Sequence, residues 1–75
     1  MQVRVKLMGG LKAKSPPNNV VELAEAASID DLLHALDLDP TRVQTVMVNG
    51  KPQKDRNTTI SPDDELTILP PVAGG

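Results

Sequence analysis

Apolar and polar residues alternate from Gln2 to Met8. Val3, Val5 and Leu7 fall on one face, and Arg4 and Lys6 on the other. A period of two marks a half-buried strand. Gly9-Gly10 breaks the run as a hairpin turn would, and Ser15-Pro16-Pro17-Asn18-Asn19 makes a longer loop. Val20 to Ala26 reads as a second strand, returning to pair with the first. The period then changes. Ile29, Leu32, Leu33 and Leu36 stand at i, i+3, i+4 and i+7 and form one apolar stripe of a helix. Ser28 is placed to cap it, with Asp30 and Asp31 in the first turn at the positive end of the helix dipole. Pro40 is expected to end this short helix. Thr45 to Asn49 returns to strand, with Val46 and Val48 on one face and Met47 on the other. Asn49-Gly50 is a strong turn signal. Lys51 to Gln53 suits a short strand before an irregular stretch. Ser61-Pro62-Asp63-Asp64 is a further turn, and Glu65 to Leu69 is a last strand with Leu66 and Ile68 facing inward.

The order is two strands, one helix, then two or three strands. The helix joins the opening hairpin to the later strands, so it must cross one face of the sheet. Burying Ile29, Leu32, Leu33 and Leu36 against Val3, Val5, Val46, Val48, Leu66 and Ile68 gives one two-layer core. The expected class is α+β, a β-grasp or ubiquitin-like arrangement: a mixed sheet of four to five strands packed on one short helix. The domain would span residues 1–69, leaving 70–75 as a flexible tail.

Composition narrows the possibilities. At 75 residues there is one domain, of a size that buries only roughly 60% of its unfolded surface. Val, Leu and Ile fill 20 positions, while Phe, Tyr, Trp and Cys are absent. No disulfide or Cys-based zinc site can reinforce the fold. The single His34 lies off the apolar stripe and reads as a solvated helix residue. No metal site is expected. Without aromatic rings to stack bases, and with a net charge of −2, nucleic acid is not an expected partner. No apolar run reaches membrane-spanning length and the chain opens directly on a strand, so no membrane association and a cytoplasmic location are expected.

The chemistry is concentrated at the end: Leu69-Pro70-Pro71-Val72-Ala73-Gly74-Gly75. Two prolines cannot donate ladder hydrogen bonds and favour an extended conformation, which makes a stiff exit from the last strand. Beyond them the side chains become small and then vanish. A carboxylate is a poor electrophile and accepts sulfur or nitrogen only after conversion to an acyl adenylate with ATP. An enzyme doing this must bring the chain end to a nucleotide through a narrow, water-excluding channel. Gly74 and Gly75 allow such a channel to close on bare backbone.

Val48-Asn49-Gly50, Asp63-Asp64-Glu65-Leu66 and the Pro-Pro-Val-Ala-Gly-Gly ending together resemble the MoaD/ThiS family of sulfur carriers. The ending is most similar to that of the molybdopterin synthase small subunits. The chain departs from that pattern by carrying aliphatic residues where aromatics are usual, in the first strand and before the prolines. The resemblance implies that Gly75 is adenylated by an enzyme of the ubiquitin-activating type, which uses ATP. Gly75 then becomes a thiocarboxylate that donates sulfur in molybdenum or tungsten cofactor synthesis. It also implies that the tail threads into the large subunit of molybdopterin synthase. The chain would then be a co-substrate with no catalytic side chain and no bound cofactor of its own. Gly74, Ala73, Val72, Pro71 and Pro70 would lie against the partners, and outward-facing Met47 and Leu69 would extend that docking surface.

Other uses of the same features stay open. The adenylate could be attacked by a lysine, making the chain a protein modifier, or the sulfur could serve thiamin or cysteine synthesis. A plain β-grasp interaction module with an incidental Gly-Gly is a third reading. Asp63, Asp64 and Glu65 read as a turn with solvated carboxylates rather than a cation site. Gly9-Gly10 with Lys12 and Ser15 fails the spacing of a phosphate loop.

Overall fold

The computed structural model describes residues 1–71. Val72, Ala73, Gly74 and Gly75, on which the expectation of a flexible tail rests, lie outside the described residues. Five strands and one α-helix form: β1 (Gln2–Leu7), β2 (Val20–Glu22), α1 (Ile29–Ala35), β3 (Thr45–Val48), β4 (Lys51–Gln53) and β5 (Glu65–Leu69). They build a single mixed sheet in the order β2-β1-β5-β3-β4. β1 pairs antiparallel with β2 and parallel with β5, and β3 pairs antiparallel with both β5 and β4. This is the expected β-grasp arrangement. No helix of the described residues is long and apolar enough to cross a membrane.

The alternation becomes layering. Val3, Val5 and Leu7 of β1, Val46 of β3, and Leu66 and Ile68 of β5 are buried on the inner face, with Ile29, Leu32, Leu33 and Leu36 of the helix segment packed among them. Val48 is only half-buried, at the margin of this core. Connections complete the interior: Leu11, Leu23, Ala27, Leu38, Val43 and Ile60 are buried too. A sheet and a seven-residue helix are too small to enclose themselves, so the loops supply apolar side chains in place of the missing aromatics. No polar side chain among the described residues is buried.

The helix is fixed at both ends by hydrogen bonds that the apolar stripe does not reveal. Ser28 Oγ accepts from the Asp31 N–H at 3.1 Å, and Asp31 Oδ2 accepts from the Ser28 N–H at 2.9 Å, a reciprocal capping box. The Ile29 and Asp30 N–H groups donate to the Thr58 and Arg56 carbonyls, at 3.0 and 2.9 Å. The stretch after β4, expected to be irregular, is therefore a clamp on the helix start. Ile60 adds an N–H bond to the Ala27 carbonyl and places its side chain in the core.

Three sequence expectations need correction. Pro40 does not end the helix. Asp37 takes a left-handed φ of 56°, and the Asp37 and Leu38 N–H groups bond back to the His34 and Leu33 carbonyls. That is a Schellman closure, with buried Leu33 and Leu38 giving the apolar pair that accompanies it. Pro40 instead opens a 3₁₀ turn over Pro40–Arg42. The second strand stops at Glu22 rather than Ala26, because Ala26 turns to a φ of 62° and releases Leu23 and Ala27 into the core. Gly9-Gly10 begins a 3₁₀ segment, Gly9–Lys14, which drives Leu11 inward.

The Ser28 N–H and hydroxyl hold the Asp31 carboxyl below the ordinary carboxylate value. The Thr41 N–H and hydroxyl do the same for Asp39 at the 3₁₀ turn. A depressed carboxyl contributes stability that is complete above its unfolded pKa and is lost as pH falls through its folded pKa. Acid unfolding should therefore show these contributions disappearing below the usual carboxylate range, with none lost near neutrality. In a carbon-detected NMR titration, Ser28→Ala should move Asp31 back toward the ordinary value and leave Asp39 in place.

Candidate functional site

The chain end leaves from the middle of the sheet. β5 lies between β1 and β3, so both of its edges are paired. The pairing continues to its last residues: the Met8 N–H donates to the Ile68 carbonyl at 3.0 Å, and the Gln44 N–H donates to the Leu69 carbonyl at 2.8 Å. Pro70 and Pro71 follow and have no N–H to offer either neighbour. Pro70 is half-buried, whereas Pro71 is exposed. The root of the tail is thus held by hydrogen bonds on both sides, and among the described residues the ladder stops where the prolines begin.

The register places the expected docking residues together on the outer face. Met47 stands opposite Thr67 of β5 and Pro52 of β4, and Leu69 stands opposite Thr45. Leu69 and Met47 are therefore diagonal neighbours, roughly 7–8 Å apart in a regular sheet. Both face outward as expected, but each is half-buried rather than fully solvated, since same-face neighbours cover part of them. Met8 joins this group. It extends the β1–β5 pairing by one residue and comes alongside Leu69, also half-buried. Sequence reasoning missed Met8, although alternation after Leu7 already turns it outward. Val72, Ala73, Gly74 and Gly75, the remaining expected partner-binding and reactive residues, lie outside the described residues.

Farther along the same face, Arg4 and Lys6 are exposed, and Arg4 pairs with Glu65 at 3.6 Å. Arg4, Lys6, Asn18, Asn19 and Glu65 border an open cleft of about 230 Å³. A second, of about 290 Å³, lies between Gln44, Thr45, Pro52, Gln53, Lys54 and Arg56. Neither is lined by Leu69, Pro70 or Pro71. No group of three or more potential metal ligands occurs among the described residues. His34 is solvated, 4.0 Å from Asp30 on the exposed side of the helix. What this end of the sheet offers is an apolar surface beside an outgoing chain.

The Asn49-Gly50 and Asp64-Glu65 motif residues serve the fold. Asn49 and Gly50 turn the chain from β3 to β4 with left-handed φ values of 53° and 84°. The Asn49 side chain then reaches across to β5. Its Oδ1 accepts from the Glu65 N–H and its Nδ2 donates to Asp64 Oδ1, both at 2.9 Å. Asp64 Oδ2 accepts in turn from the Ser61 N–H at 2.9 Å. Asp64 is therefore a hydrogen-bonded brace and not a merely solvated carboxylate. The network fixes where β5 starts, just as Met8 and Gln44 fix where it ends.

Comparison with known proteins agrees with this geometry. The family model described as the ThiS family matches residues 5–75. Among solved structures, the crystal structure of SAMP1 from Haloferax volcanii is similar with a TM-score of 0.75. It is 22% identical, and the match covers 100% of this chain and 100% of that one. At that identity the likeness establishes the fold. No curated protein matches the chain.

Replacing Asn49 should separate its two contributions. Asn49→Gly keeps the left-handed turn but loses both side-chain bonds, and should cost about 1–2 kcal/mol. Asn49→Ala should cost about 1 kcal/mol more, because a Cβ is added at a left-handed backbone without a compensating polar group. Urea denaturation of the three proteins checks both steps. Equal stability of the Gly and Ala variants would remove the backbone part of the account.

Proposed function

The chain belongs to the ThiS family, the ubiquitin-like sulfur carriers, and from that premise we propose that it carries sulfur as a thiocarboxylate on Gly75 for molybdopterin synthesis. The observation that carries this reading is the combination at one end of the sheet. A chain ending Pro70-Pro71-Val72-Ala73-Gly74-Gly75 leaves a doubly paired central strand beside outward-facing Met8, Met47 and Leu69. The Pro-Pro-Val-Ala-Gly-Gly ending supports the molybdopterin branch in particular, through its resemblance to the synthase small subunits.

In this reading the chain brings no acid, base or metal. The Gly75 carboxylate attacks the α-phosphate of ATP in an activating enzyme of the ubiquitin-activating type, and pyrophosphate leaves. A sulfur nucleophile then adds to the acyl carbon and AMP leaves, which gives the thiocarboxylate. The tail next enters the large subunit of molybdopterin synthase, where its sulfur attacks a pterin precursor, and water then cleaves the acyl–sulfur bond, which leaves the sulfur on the pterin and regenerates the carboxylate. Gly74, Ala73, Val72, Pro71 and Pro70 lie inside the passage, while Leu69 and Met47 hold the domain against the partner. ATP belongs to the activating enzyme.

Intact-mass analysis of the chain taken from its native cell tests the carrier state directly. A mass gain equal to one oxygen-for-sulfur exchange at the C-terminus is the expected result. A thiol-resistant ladder of lysine adducts without that species would assign the tail to protein modification instead. Sulfur transfer to thiamin or cysteine precursors, with none to a pterin in the presence of the large subunit, would move the chain to another branch of the family.

Two substitutions examine the parts separately. Met47→Asp with Leu69→Asp should weaken binding to the large subunit by roughly 1 kcal/mol per side chain, about half the full-burial value because each is already half-buried, read by calorimetry. The fold should persist, because both residues lie outside the core. Gly74→Val should leave the melting temperature unchanged and reduce ATP–pyrophosphate exchange about a hundredfold. A β-branched residue stiffens the backbone and adds bulk beside the reacting carbon, and in a channel shaped for bare backbone even about 1 Å of displacement has that effect. Normal exchange by this variant would favour an incidental Gly-Gly.

A further inference from the structure

The two glycines after β1 are not equivalent. A Cβ added at Gly10 would meet nothing within 4 Å, whereas one added at Gly9 would lie 3.0 Å from Cγ and 3.6 Å from Cδ of Pro70. Gly9 also holds a left-handed φ of 56°. The ring of Pro70 thus rests on bare backbone at the opening of the 3₁₀ segment, and this contact lies where the tail leaves the sheet.

Both sides of the contact are tethered through the backbone. On the Pro70 side, the Ile68 carbonyl is held by the Met8 N–H and the Leu69 carbonyl by the Gln44 N–H. The proline ring itself has a fixed φ. On the Gly9 side, the Leu11 N–H bonds back to the Met8 carbonyl at 3.1 Å, and the Leu11 side chain is buried in the core. A Cβ at position 9 would therefore press on the proline ring, which must give by a few tenths of an ångström.

We propose that Gly9 is a positioning residue for the tail: its bare backbone seats the Pro70 ring and so sets the direction in which the reactive chain end is launched. The hydrogen bonds to Ile68 and Leu69 fix where β5 stops, and among the described residues the ladder supplies no constraint beyond Leu69. The seat supplies the next one. The functional part of this inference rests on the sulfur-carrier reading, since an aimed chain end matters only if a partner must receive it.

Asparagine is the informative replacement. This chain already places Asn18, Asn19 and Asn49 at left-handed φ values, so Gly9→Asn keeps the backbone accessible while adding the Cβ. Pro70→Ala removes the Cγ and Cδ atoms that the Cβ would meet. Gly10→Ala serves as the control in open space. The first measurement uses the isolated protein: Cα–Hα residual dipolar couplings of Pro70 and Pro71, referred to those of β5, together with melting curves. Gly9→Asn should reorient the Pro70 and Pro71 vectors, and Gly10→Ala should not. Unchanged vectors in Gly9→Asn would overturn the seat, whatever the protein does.

The second measurement is ATP–pyrophosphate exchange with the cognate activating enzyme, analysed as a double-mutant cycle. Gly9→Asn should lower kcat at least tenfold with KM nearly unchanged, because the outer face that docks is intact while the chain end is misdirected. In the Pro70→Ala background the same replacement should have little further effect. A change in KM alone, or equal losses in both backgrounds, would overturn the positioning role. Failure of the unaltered chain to support exchange would instead count against the sulfur-carrier reading, and the dipolar couplings would still decide whether Gly9 seats Pro70.

Discussion

The parallel pairing of β1 with β5 is the constraint on which the rest of the molecule depends. It joins the first and last strands at the centre of the sheet, with Val5 beside Leu66 and Leu7 beside Ile68. Parallel neighbours cannot be joined by a tight turn, so everything between them must travel out and back. The hairpin to β2, the crossing helix and the β3–β4 hairpin are that journey. The helix lies against the inner face because its apolar stripe has only that face to cover. The chain leaves the sheet from its central strand, β5, which is paired along both edges.

A core without aromatic rings has to be closed by other means. Aliphatic side chains from connections fill the rim, and backbone hydrogen bonds tie those connections to the elements they join. The helix start shows how fully the polar groups are used. Ile29, Asp30 and Asp31 each place their otherwise orphaned N–H on a named acceptor: the Thr58 carbonyl, the Arg56 carbonyl and the Ser28 hydroxyl. A short helix is marginal by itself, so this docking and the burial of Ile29, Leu32 and Leu33 carry it.

Much of this was legible in the sequence, for reasons that also explain what was not. The alternation of Val3, Val5 and Leu7, the spacing of Ile29, Leu32, Leu33 and Leu36, and the Asn49-Gly50 turn are local patterns, and each produced its element. Ser28 read correctly as a cap because its partner lies three residues away. The clamp of residues 56–60 on the helix was not legible, since it uses backbone carbonyls, which every residue possesses. The pattern makes β2 too long, because buried Leu23 resembles a strand position when neighbours in space are unknown. The outward direction of Met47 and Leu69 followed from strand parity alone. The part played by Met8 and the contact of Gly9 with Pro70 needed the β1–β5 register, which no local pattern contains.

That register also determines the reach of the chain end. β5 is braced at its start by Asn49 on Glu65 and Asp64, and at its end by Met8 and Gln44. A slip of one residue would turn Leu66 and Ile68 out of the core and bring Thr67 in. A slip of two would preserve the faces but break both braces and move the chain end by roughly 7 Å. The six residues beyond Leu69 can extend at most about 20 Å, so such a slip would cost a third of the available length. On the proposed reading, in which the chain end must reach a nucleotide and then a second active site, that length has to be constant. The residues that hold this register, Asn49 and Asp64 at the start of β5 and Met8 and Gln44 at its end, come from three different parts of the sequence.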